Sequence, residues 1–111
     1  MSYDLTIKRG DTRHAIKAIL KGKDGDPVDL TGCEVKFIMA LLGRPPVICR
    51  QPHIADAEHG EVWVVWAPGE TGVSGVYRAE FKVTYLDGRK ETFPNDGYIG
   101  INIMNDLGRS E

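Results

Sequence analysis

Two cysteines, three histidines, three serines and no apolar run longer than six residues leave this 111-residue chain short of several kinds of chemistry. Its apolar runs stop at the length of Phe37 to Leu42, far below the ~20 residues of a bilayer-spanning helix, so no membrane partner is expected. Neither sign of charge dominates. Fourteen Lys and Arg against sixteen Asp and Glu give a formal charge of −2, without the positive field that a phosphate backbone requires, and nucleic acid is not an expected partner. The opening Met1-Ser-Tyr-Asp-Leu-Thr lacks the basic start and apolar stretch of a signal peptide, so export by that route is not expected. Cys33 and Cys49 have no metal-type spacing and each lies in an apolar stretch. They read as buried free thiols of a protein made in a reducing compartment, rather than as a disulfide.

What is there suits one ordinary soluble globular domain. Hydrophobic residues make up 41% and charged residues 27%, and a chain of this length buries roughly two-thirds of its surface on folding, which needs no disulfide or metal staple. The organising signal is a period of two, broken by turn residues about every ten positions. Tyr3, Leu5 and Ile7 share one face of a first strand, ended by Arg9-Gly10-Asp11. Arg13 to Leu20 puts Ile16, Ala18 and Leu20 on one side and breaks at Lys21 to Pro27. Cys33 to Leu41 directs Cys33, Val35, Phe37, Met39 and Leu41 inward. Val47 to Gln51 offers a short strand, Pro52 to Gly60 reads as an irregular connection, and Glu61 to Trp66 is again a strand. In Gly75 to Tyr85, Tyr77, Ala79, Phe81, Val83 and Tyr85 alternate with Val76, Arg78, Glu80, Lys82 and Thr84. Asp87-Gly88 then turns the chain into Arg89 to Phe93, and Tyr98 to Met104 closes with Ile99, Ile101 and Ile103 on one face. The expectation is eight short strands, no helix, an all-β antiparallel sandwich over residues 1–104, and a loose tail over 105–111.

The segment Glu70 to Ala79 has the shape of an immunoglobulin-type corner, with Tyr77 two residues before an inward position held by Ala79 instead of cysteine. No intersheet disulfide is expected, so packing alone must hold the sheets.

Four phrases carry a family resemblance: Asp4-Leu-Thr-Ile-Lys-Arg-Gly-Asp11-Thr12, Pro27-Val-Asp-Leu-Thr-Gly32 with Val35-Lys-Phe37, Gly75-Val-Tyr-Arg-Ala-Glu-Phe81, and Glu91-Thr-Phe-Pro-Asn-Asp-Gly-Tyr98. Together they resemble the N-terminal β-sandwich domain of phage baseplate upper proteins and related tail-fibre proteins, from Asp4 to about Met104. With the corner at Tyr77 the expected fold is an immunoglobulin-like β-sandwich, and the resemblance implies a non-enzymatic structural role in the virion, docking a fibre or receptor-binding part onto the tail. Other tail, baseplate or fibre proteins are then the partners, a homo-oligomer is an open option, and the location is the virion after synthesis in the bacterial cytoplasm.

Catalytic chemistry finds little footing. Ser2, Ser74 and Ser110 are the serines, and Gly72-Val-Ser-Gly75 is not a nucleophile elbow. His53 and His59 flank Asp56 and Glu58 without any established zinc spacing, so a solvated loop is the simpler reading. Asp24, Asp26 and Asp29 invite a calcium reading, but Val35 stands where an EF-hand's bidentate glutamate would fall, and turn formation explains the three acids. Arg9-Gly10-Asp11 matches an integrin-binding tripeptide and is read as a turn. No cofactor, metal or small-molecule substrate is expected, and no enzyme.

The outward positions are more informative. Beyond Glu34 and Lys36 the outward set becomes Ile38, Ala40 and Leu42, and Trp63 and Val65 point outward if Val62, Val64 and Trp66 face the core. A sheet with one wet face should be polar there. Ile38, Leu42, Trp63 and Val65 are therefore the expected protein interface, unless the segments 43–51 or 52–60 fold over them. The alternatives are a carbohydrate-binding module that uses Trp63 as a stacking platform, and a capsid decoration protein.

Overall fold

The structure, a computed structural model, describes residues 3–108, which form nine strands and no helix. The strands are β1 (Leu5–Lys8), β2 (Ile16–Ile19), β3 (Glu34–Leu41), β4 (Ile48–Arg50), β5 (His53–Asp56), β6 (Glu61–Val64), β7 (Gly75–Thr84), β8 (Lys90–Phe93) and β9 (Ile99–Met104). One sheet runs β1-β9-β7-β3-β4, with β8 also on β7, and the other runs β2-β6-β5. All pairings are antiparallel except β1 with β9, which runs parallel.

The alternation of β3 and β7 sets the register. Val35 pairs with Val83, Phe37 with Phe81, Met39 with Ala79 and Leu41 with Tyr77, so the apolar sets of both strands fall on the same face. Val62, Val64 and Trp66, on and just after β6, meet that face from the other sheet and share its core. The Phe37 ring lies 5.2 Å from Phe81 and 6.4 Å, nearly perpendicular, from Trp66. Burying each such side chain is worth about 1.5 to 3 kcal/mol, so this layer is the main source of stability. Within it, Trp66 Nε1 is buried without a hydrogen-bond partner among the described residues.

Two glycines are required by contacts. Gly60 has φ +69°, and a Cβ there would stand 2.8 Å from the carbonyl oxygens of Leu20 and Val28. Only a bare α-carbon lets these three segments meet. Gly75, at φ +155°, opens β7 where a Cβ would meet Leu41 Cδ2 at 2.9 Å.

The expected strands are all found, with one more. Residues 52–60 are not an irregular connection throughout, because His53–Asp56 pairs with β6 and is displaced by a register shift between Ile54 and Asp56. Only Ile54 of this strand is even half-buried, so its alternation is too faint to read. The thiols are free, as expected, but not buried: Cys33 is half-buried and Cys49 exposed. Ile48 takes the inward position of β4, and parity turns Cys49 outward beside Ile38. The expected loose tail begins with a tether, since Arg9 Nη2 and Nε donate to Asp106 Oδ1 at 2.8 and 3.1 Å. Residues 109–111 of that tail lie outside the described ones.

Candidate functional site

Of the four expected interface residues, the topology separates two from two. Ile38 lies on β3 of the larger sheet, with Leu42 just beyond it, while Trp63 and Val65 belong to β6 and the residue after it in the smaller sheet. Both pairs point away from the shared core, so they occupy opposite outer faces and do not form one surface.

The outer face of the larger sheet carries Ile38, Ala40, Leu42 and Tyr98 together. Ile38 sits between Cys49 and Glu80, and Ala40 pairs with Arg78. Leu42 is 70% exposed and Tyr98 56%. Ile38, Ala40, Leu42, Arg78, Glu80 and Tyr98, with Arg44, line a shallow recess of about 180 Å³. The Arg78 guanidinium stands 5.2 Å from the Tyr98 ring centre, a cation–π contact that fixes the rim. Arg78, Glu80 and Tyr98 were not part of the sequence expectation. The outward parity of Arg78 and Glu80 is visible along β7 and Tyr98 stands just before β9, but their place beside Ile38 depends on a register that no single strand reveals.

On the opposite face, Trp63 is embedded in a row of cross-strand neighbours. Lys17 of β2 and His53 of β5 pair with it on either side. Lys17 Nζ lies 4.4 Å from the indole centre, the His53 ring 5.9 Å away, and Trp63 Nε1 donates to Glu61 Oε2 at 2.7 Å. The half-buried ring therefore has a cation over one face, which leaves less flat surface for a sugar to stack on. Val65, 54% exposed, stands past the end of this row.

The remaining motifs are occupied locally. Gly10 N donates to Thr71 O, the buried Thr71 hydroxyl donates to Asp11 O at 2.8 Å, and Asp11 N closes a turn on Lys8 O. The Arg9-Gly10-Asp11 tripeptide is thus stitched to a neighbouring loop. Asp24 and Asp29 accept from the backbone N–H two residues on, and the Thr31 bonds hold the Asp29 carboxyl below its usual range. His59 Nδ1 and Asp56 Oδ2 are 2.9 Å apart, and no third ligand joins them among the described residues.

One polar cluster went unforeseen. Arg50 of β4 makes a two-pronged pair with Glu70, 2.8 Å on each prong, and its Nη2 also donates to Val65 O at 2.8 Å. Glu70 Oε1 accepts from Ala67 N at 2.7 Å. The Arg50 hydrogen bonds hold the Glu70 carboxyl below, and the Glu70 bonds push the guanidinium above, their usual ranges. The cluster ties the edge of the larger sheet to the loop after β6. No family model matches the chain, and no curated protein matches it in sequence.

Proposed function

We propose that this chain is a non-enzymatic docking module of a phage or prophage virion, an immunoglobulin-like β-sandwich that binds neighbouring tail or baseplate proteins. The fold part rests on the strand order. β4-β3-β7-β9 against β2-β6-β5 follows the C′-C-F-G and B-E-D arrangement of variable-type immunoglobulin sandwiches. Tyr77 Oη donates to Val73 O at 2.7 Å, the tyrosine-corner contact of that fold. The virion part rests on the sequence resemblance.

The observation that carries docking is the apolar outer face around Ile38, Ala40, Leu42 and Tyr98, rimmed by Arg78 and Glu80. An apolar centre with an aromatic and an arginine at its rim is the composition of a protein interface. Its test is a reconstruction of a particle that carries the chain, with Leu42→Asp as the variant. The folded variant is expected to be missing from the particle while wild type occupies fixed positions on the tail. Wild type found only on the capsid surface would replace tail docking by decoration, and a glycan-array signal with no particle association would favour the sugar-binding alternative.

A further inference from the structure

The smaller sheet ends on a strand whose outer edge is unused. Leu20 N donates to Gly60 O while Leu20 O accepts from Val28 N, and the alternation of antiparallel bonds turns the backbone groups of Ala18 and Ile16 toward β6. The N–H and C=O groups of Lys17 and Ile19 then point off the sheet. Among the described residues neither bonds to the backbone of a further segment, and β2 has β6 as its one neighbour.

Behind this edge the two sheets do not close. A recess of about 330 Å³ is lined by Leu5, Ile16, Ala18 and Ile99, with Asp4 at its rim accepting from Gly100 N, and a second of about 240 Å³ by Ala18, Lys21, Phe93, Pro94 and Ile99. They share Ala18 and Ile99 and so adjoin as one slot. Leu5, Ile16, Ala18 and Ile99 are only half-buried there, although they pack against the core. A strand laid along β2 would satisfy the free backbone groups, and alternate side chains would drop into the slot.

Charge selects the strand. From Thr12 to Lys23 the chain carries Arg13, Lys17, Lys21 and Lys23 and no acid. None of the four is in an ion pair among the described residues. A second copy of β2 would bring the same cations against these and be repelled. Edge lysines are one device that refuses pairing, alongside inward charges, prolines and bulges. Here Ile16 and Ala18 are the inward residues, and β2 has no proline and no register shift.

We propose that the β2 edge is a strand-acceptor site for an extended segment of another protein, apolar on one face and acidic on the other, which joins as a fourth strand of the smaller sheet. The site stands on the edge, the slot and the charge, and holds whether or not the chain is a virion protein.

The probe is a blocked ten-residue peptide alternating valine and glutamate, with a valine and lysine peptide as its counterpart, added to the full chain while amide hydrogen exchange is followed residue by residue. Saturating acidic peptide is expected to slow exchange at Lys17 and Ile19 by at least about tenfold, and the lysine peptide to leave both unchanged. Ile19→Pro removes one outward donor without touching the β2–β6 bonds, and should keep the fold while weakening the acidic peptide about tenfold. Lys17→Glu should keep the fold and narrow or invert the preference between the two peptides. Unchanged exchange at Lys17 and Ile19, protection appearing on β1 or on the outer face of the larger sheet instead, or equal binding of both peptides would each overturn the proposal.

Discussion

The two sheets are fastened along the β4 edge and parted along the β2 edge, and the contrast shows where this small domain is committed to its own packing. At β4, Ile48 is 4% exposed and Arg50 reaches across to Glu70 and the Val65 carbonyl. At β2, the facing aliphatic side chains are half-buried and no ion pair among the described residues crosses the gap. Packing is complete on one side and unfinished on the other.

The largest expected effect compares the two sides directly. Ile48→Ala should cost about 2 to 4 kcal/mol in urea unfolding, as for a packed core isoleucine, whereas Ile16→Ala should cost about 1 kcal/mol because its site already faces an opening. Equal losses would erase the contrast.

Next comes the clamp. Arg50→Ala leaves a partly buried carboxylate and a carbonyl without their donor, and should cost about 2 kcal/mol. Its pH dependence has a definite sign. Arg50 holds the folded pKa of Glu70 below its ordinary 4.5, so the pair stabilises fully above that value and is lost as pH falls through the folded one. Stability of the wild type should therefore drop in acid more steeply than that of Arg50→Ala, as read from urea midpoints at successive pH values.

The smallest effect tests the open side. Lys17→Ala should cost about 0.5 kcal/mol through the lost cation–π contact, with a shift in tryptophan emission as the Trp63 face is bared.

Period-two alternation made most of the strands legible, and Phe37, Phe81, Val62 and Ile101 are core as their parity implied. What parity cannot tell is which sheet a strand joins. Ile38 and Trp63 both read as outward, and both are, but on faces turned away from each other. β5 escaped notice because one half-buried residue, Ile54, makes no pattern, and its pairing depends on Val62 and Trp63 being alongside. Cys49 looked buried from the company it keeps in the chain, whereas its outward position follows from Ile48 facing in. The Arg50–Glu70 pair, twenty residues apart, has no local signature at all.

The parallel pairing of β1 with β9 has a mechanical consequence. The chain enters β1 beside Ile101 and leaves β9 beside Lys8, so the two exits point in opposite directions along the pair. Tension applied between them would load these hydrogen bonds together, in shear, instead of peeling them one at a time. Rivets hold both ends: Asp4 N to Gly100 O at 2.9 Å and Gly100 N to Asp4 Oδ2 at 2.7 Å at one, Arg9 N to Met104 O at 2.7 Å and the Arg9–Asp106 pair at the other. A domain strung this way resists being pulled lengthwise far better than it resists being unzipped from an edge.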